Sequence, residues 1–311
     1  TCLTHLVGGS AGREGAALQI GGGIGYQTGR LMHLGEKELP LTTQCGMAAL
    51  FAALFGTPLT AAIFALEVIS VGVIYYAGLI PCITAAAVGF GVAKVMGVAP
   101  TRYAILAPEV DTAMMVRVLF LAVACAVVSI IFVRGMHWIE HGAKKFITGS
   151  YRRAIAGGLL LLILSHSFGT DFNGAGMDVI ARALSGEADS WAWLIKILFT
   201  AVTIGFGFKG GEVVPSFFVG ATFGCILAPL LAIPAPFGAA IGLVAVFCGA
   251  VNCPIASVIL SIELFGAEGL LFFAAACAVS YLMSGYSGLY SSQTILYSKQ
   301  QAEYINIHTK E

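Results

Sequence analysis

Two short glycine-rich breaks, each carrying a glutamate, stand out as places where an apolar chain could do chemistry. The first is Gly12-Arg13-Glu14-Gly15, at the start of an apolar segment. Glycines leave backbone N–H groups open, and the helix that follows aims the positive end of its dipole at the gap, which makes an anion site. A glutamate in that position can place its own carboxylate in the site, compete with a dissolved anion, and release the site when protonated. An ionisable group inside a membrane is costly enough to be read first as functional. The second break is Lys209-Gly210-Gly211-Glu212-Val213-Val214-Pro215. Here Pro215 falls in the first turn of the next helix, where its missing N–H does no harm.

The elements that must position these breaks are membrane helices. Of the 311 residues 58% are apolar and only 10% charged, and mean hydropathy is +0.91. A soluble domain of this size carries a charged share of about 25%. Formal net charge is zero, which leaves no basic surface for a nucleic-acid partner. Apolar runs at Tyr75–Val98, Thr112–Val133, Ala154–Phe168, Trp191–Phe208 and Gly269–Met283 read as spans. Shorter runs, at 15–32, 43–55, 57–70, 213–230, 238–250 and 254–266, are interrupted by Gly or Pro. Half-length helices survive in lipid only when buried in protein or lining an aqueous cavity. The expected fold is therefore all-α, a polytopic membrane bundle of long and broken helices. The cluster Arg134, Lys144, Lys145, Arg152, Arg153 places its loop in the cytoplasm, and the acidic loop 169–190 falls on the other side.

An internal repeat links the two breaks. Segment 49–69 aligns without gaps on 245–265, with Pro58 on Pro254 and Glu67 on Glu263 among five identities in 21 positions. Segment 12–22 lies over 210–220, which sets Glu14 on Glu212. Paired glycine-rich breaks, each followed by a proline-led short helix, are the pattern of an inverted-repeat transporter whose substrate binds between the halves. Gly21, Gly25 and Gly29 form a small-residue stripe for close helix packing.

Together GREG before an apolar helix, GGEVVPSFFVGATFG at 210–224, and GYSGLYSSQTILYSK near the end resemble the CLC family of chloride channels and proton-coupled anion antiporters. The resemblance covers nearly the whole chain. It implies a transmembrane domain over 1–298 with a short cytoplasmic tail at 299–311, in the inner (plasma) membrane of a bacterial-type cell, and a homodimer. It implies that Glu14 gates the pathway, that Gly12, Arg13, Gly15, Gly211, Glu212, Val213 and Val214 border the anion site, and that the Tyr290 hydroxyl faces the ion. The family's first anion-site loop is expected upstream of Thr1, where the chain opens in mid-pattern. No cofactor, metal or enzymatic activity is expected.

Departures from the common pattern point to a branch. Ala16 stands where a proline usually follows GREG, and Val68 stands where chloride antiporters carry an inner glutamate. Ala16 and GGEV at 210–213 resemble the fluoride-exporting branch, although Val214 replaces its threonine. Fluoride/proton antiport is thus the first expectation, with a chloride channel or chloride/proton antiporter as the alternative. A different class is suggested by His137-Trp138-Ile139-Glu140-His141, an order seen in zinc peptidases. It lies where a span meets the basic loop, with no glutamate-bearing helix downstream to complete a metal site, and reads instead as an interfacial anchor.

Overall fold

The computed structural model describes residues 1–309 and contains thirteen α-helices with one small sheet among them. The first half holds α1 (Cys2–Leu6), α2 (Glu14–Leu31), α3 (Leu39–Phe55), α4 (Pro58–Glu67) and α5 (Leu79–Val95). A middle section follows, with α6 (Thr112–Phe146), α7 (Ser150–Phe168), α8 (Met177–Leu184) and α9 (Ala192–Gly205). The second half closes with α10 (Val213–Leu227), α11 (Ala235–Val251), α12 (Pro254–Phe265) and α13 (Leu270–Met283). Strands β1 (Ser70–Val71), β2 (Thr294–Tyr297) and β3 (Tyr304–His308) form one sheet, β1 parallel to β2 and β2 antiparallel to β3. Part of the expected 299–311 tail, Tyr304–His308, therefore folds back as a strand; Lys310 and Glu311 lie outside the described residues.

Helix lengths depart from the expected spans in both directions. Segments 76–95, 112–146 and 213–231 are long and apolar enough to cross a bilayer alone. The runs read as spans at 191–208 and 269–283 fold as 14-residue helices, about 21 Å long at 1.5 Å per residue. Gly207, with positive φ, ends α9 three residues before its run does, whereas α13 fills its run to within one residue. Conversely α6 runs for 35 residues, past Val133 to Phe146. The 137–141 segment is therefore helix interior. His137 Nε2 meets the Gly288 carbonyl at 3.2 Å and Glu140 pairs with Lys144 one turn on.

The two halves repeat in detail. In each, a glycine-striped helix packs on its successor at backbone contact. A Cβ on Gly21 or Gly25 would stand 2.2 or 2.1 Å from the Gly46 or Thr42 carbonyl oxygen. In the second half a Cβ on Gly220 or Gly224 would stand 2.3 or 2.1 Å from the Gly242 or Gly238 carbonyl oxygen. Helices α3 and α11 both end on a left-handed residue, Gly56 (φ 72°) and Asn252 (φ 58°), and both restart two residues later on a proline. That turn lets α4 and α12 lie antiparallel, the end of each at the start of the other. Glu67, at the end of α4, accepts the N–H groups of Ile255 and Ala256 at 3.1 and 2.8 Å. Glu263, near the end of α12, accepts those of Leu59 and Thr60 at 3.0 and 2.8 Å. Each carboxylate satisfies orphan donors at the other helix's start, where the dipole favours negative charge. This reciprocity holds only for an inverted pair.

An aromatic cluster fills the space between halves, with Phe51, Phe55, Phe64, Phe217 and Phe247 in ring contact at centroid distances of 4.7–6.1 Å. Such offset and edge contacts add to simple burial.

Replacing Glu263 by Ala should cost about 1–2 kcal/mol, the scale of a lost helix cap. Thermal unfolding in detergent should show the midpoint falling by several degrees, and an unchanged midpoint would remove the caps from the account of the fold.

Candidate functional site

Where the two glycine-rich breaks meet, the backbone pairs across the repeat. The Gly12 N–H donates to the Gly211 carbonyl at 2.8 Å and the Gly211 N–H returns the bond to Gly12 at 3.0 Å, an isolated antiparallel bridge. Helices α2 and α10 start directly beyond it, so their N-termini converge on one point.

Glu14 occupies that point. Its side chain is wholly buried, and Oε1 accepts the Val214 N–H at 3.0 Å, in the first turn of α10. Oε2 meets no donor of the protein. The carboxylate is folded back between the bridge glycines. A Cβ on Gly12 would lie 1.8 Å from Oε2, and one on Gly211 would lie 2.4 Å from the carboxyl carbon. Only glycine admits the carboxylate at either position, which is the physical reason for the residue type at both. The arrangement is a carboxyl group seated at a helix N-terminus, a place that suits an anion.

The other expected residues divide. Gly15 packs 3.2 Å (as a built Cβ) from the Gly211 Cα, so it belongs to the same crossing. Val213 and Val214 are buried, and Val214 contributes its backbone N–H, a contact that a valine makes as well as a threonine would. Glu212 is half-buried at the N-cap of α10 with no capping hydrogen bond from its side chain. It lines a cavity of about 690 Å³ shared with Gly15, Ala16, Val68, Gly211 and Tyr290, with Glu140, Lys144 and Arg153 also on its wall. Tyr290 is held by its backbone, since Thr309 Oγ1 donates to its carbonyl at 2.7 Å and the Gln293 N–H donates to it at 2.9 Å. Arg13 stands apart, because it is exposed while the Glu14 seat is buried. Phe217 and Phe218 are core residues, the first against Phe55 and Phe247, the second against Phe172.

Sequence reasoning missed the polar face of α9. Lys196, Thr200 and Thr203 are fully buried. Thr203 Oγ1 accepts the Ser10 N–H at 2.9 Å, and Thr200 Oγ1 lies 3.0 Å from Ser10 Oγ. Thr4 Oγ1 donates to the Lys209 carbonyl at 2.7 Å. These bonds fix the strand that leads to Glu14. The signal was present as polar residues at i, i+4 and i+7 in an otherwise apolar helix.

The family model for the voltage-gated chloride channel matches residues 1–285. The chain belongs to the CLC family. A chloride/fluoride channel protein of Pseudomonas syringae pv. tomato is 39% identical over 308 residues, 96% of this chain and 68% of that protein. An uncharacterized protein of Methanocaldococcus jannaschii is 27% identical, over 89% of this chain and 71% of its own length. Among solved structures, a CLC-type fluoride/proton antiporter superposes with a TM-score of 0.90 at 33% identity, covering 94% of this chain and 75% of that one. A slow cyanobacterial chloride/proton antiporter reaches 0.74 at 19% identity over 91% of this chain and 70% of that one, a likeness of fold alone. The CLC chain is thus a multi-pass membrane protein of a family of anion channels and antiporters, and not an enzyme.

A methyl group at Gly211 would collide with the seated carboxylate. Gly211→Ala is expected to lower anion flux in liposomes about tenfold, the effect of 1.4 kcal/mol on a barrier, while size-exclusion behaviour stays normal. Flux at the wild-type rate would show that the seat is not needed.

Proposed function

We propose that the protein exchanges fluoride for protons, with Glu14 as the moving gate. The observation that carries this reading is the Glu14 carboxylate itself. It sits at the start of α10 on the Val214 N–H, with its second oxygen unbonded, where a dissolved anion would bind. Protonation removes the charge that holds the side chain there. The seat then passes to an anion, and the return of the carboxylate expels it. One group thereby links a proton to an anion without any covalent step. A small, strongly hydrated ion needs several donors in place of its water, and backbone N–H groups at the converging helix starts, with the Tyr290 hydroxyl, are suited to supply them.

Fluoride is favoured over chloride by GGEV at 210–213 and by Ala16, together with the fluoride-naming relatives described above. Val68 lines the 690 Å³ cavity where a chloride antiporter would offer a carboxylate. We assign the second ionisable role to Glu212, which borders the same cavity at the mirrored helix start. Glu67 and Glu263 are committed to helix caps and have no such freedom. The basic residues fall on helix ends and not in a loop, Lys144 in the last turn of α6 and Arg153 in the first turn of α7, and this end of the molecule faces the cytoplasm of a cell whose plasma (inner) membrane holds the protein. A homodimer, with one pathway per subunit, fits the exposed apolar side chains Leu59, Ile255 and Ile262 on α4 and α12.

In liposomes an outward fluoride gradient should drive proton uptake, and an ion-selective electrode should record fluoride leaving faster than chloride. Glu212→Gln should suppress that coupled flux at least tenfold with the fold intact. Equal rates for the two halides would favour the chloride reading, and full activity of Glu212→Gln would remove its assigned role.

A further inference from the structure

Lys196 is a cation in an unusual position. It sits in the middle of the apolar helix α9, wholly buried. Its Nζ donates to the carbonyls of Phe172 and Gly174 at 3.0 and 2.8 Å. The ammonium lies 4.9 Å from the centroid of the Phe218 ring. Among the described residues no carboxylate lies within ion-pairing distance of it. Taking an ammonium out of water costs several kcal/mol, and two carbonyl dipoles and an aromatic face repay part of that cost. The remaining compensation must come from a charge further off.

The surroundings identify that charge. Gly174, which holds the lysine, donates its own N–H to the Gly9 carbonyl at 3.0 Å, and Asn173 abuts Gly8. The same face of α9 grips Ser10 through Thr200 and Thr203. The lysine therefore stands beside the Gly8–Ser10 segment that leads to Glu14, and Glu14 is the buried carboxyl group to which that segment leads. Phe218, over which the ammonium lies, belongs to α10, whose first turn is that seat.

We propose that Lys196 is a positioning and specificity residue of the pathway, the fixed positive charge that keeps one anion, either the Glu14 carboxylate or the transported halide, at the start of α10. With the carboxylate seated the two charges balance. Once the carboxyl is protonated and leaves, the ammonium is uncompensated, and its field draws in a dissolved anion. The pathway is then held to one negative charge at a time, which is what strict alternation of gate and ion requires. The inference rests on the anion-exchange reading.

Two uncharged variants separate this electrostatic role from a structural one. Lys196→Met removes both the charge and the hydrogen bonds to the loop. Lys196→Gln removes the charge but keeps an N–H donor for the Phe172 and Gly174 carbonyls. Fluoride efflux from liposomes, measured against fluoride concentration, yields the half-saturating concentration and the maximal rate. Both variants should raise the half-saturating concentration about tenfold, and Glu14→Gln combined with Lys196→Gln should show the same rise relative to Glu14→Gln alone. Recovery of wild-type half-saturation in Lys196→Gln, or a loss confined to the maximal rate, would make Lys196 only a pin for the loop and overturn the proposal. Failure of both variants to fold would do the same. Absence of anion flux in the wild-type protein would defeat the exchange reading first, whereas wild-type flux with unaltered half-saturation in both variants would defeat the role of Lys196 alone.

Discussion

A carboxylate removed from water must find donors, and for Glu14 they come from the start of a helix that lies 200 residues further along the chain. The rest of the molecule follows from that contact. It requires glycine at 12 and 211, because any side chain there would occupy the space of the carboxyl group. It requires the Gly12–Gly211 bridge, because two helix starts converge only if the strands leading to them run antiparallel. It also requires that α2 and α10 begin at a buried point, where their terminal N–H groups would be costly without a partner.

Holding two helix starts together inside lipid is the work of the repeat. Glycine stripes bring α2 onto α3 and α10 onto α11 at backbone contact, so each break is carried on a tightly packed pair. The left-handed turns at Gly56 and Asn252 then direct α4 and α12 towards each other. Glu67 and Glu263 close the ends with mutual caps, which uses the same carboxylate-to-helix-start chemistry that Glu14 uses. The difference lies in the alternatives open to each group. The capping carboxylates accept two N–H bonds each, whereas Glu14 accepts one from α10 and keeps an oxygen unbonded. A group with fewer bonds is easier to release, and that asymmetry sets Glu14 apart from the two capping carboxylates.

Much of this was legible in the residues. Periodic apolar runs and Gly/Pro punctuation placed most of the helices within a few residues, and the offsets of 196 and 198 paired Glu67 with Glu263 and Glu14 with Glu212. The glycine stripe at 21, 25 and 29 was read as packing, and the close approach of α2 to α3 is that packing. What escaped was mostly non-local. The Gly12–Gly211 bridge joins two residues without side chains, so no pattern could announce it. The early end of α9 is set by Gly207, a positive-φ glycine inside a run that looks continuous by hydropathy alone. Helix α8 lay within a loop read only for its charge, although Val179, Ile180, Ala183 and Leu184 carry a buried face at helical spacing. The small sheet is not evident from the sequence, because β1 has two residues and β2 four, although Tyr304–His308 shows the alternation of a strand. Arg13, which the resemblance implies at the site, is exposed, because successive residues at a helix start point in different directions.

Whether Glu14 is the moving gate is the claim on which the mechanism turns. Its most direct test is Glu14→Gln in the full-length protein reconstituted in liposomes, with anion efflux and proton uptake recorded together. Glutamine keeps the size of the side chain but cannot carry the charge that competes with an anion or take up the proton. The account predicts that proton uptake disappears while the protein remains folded. Proton-coupled anion flux at the wild-type ratio in that variant would contradict it.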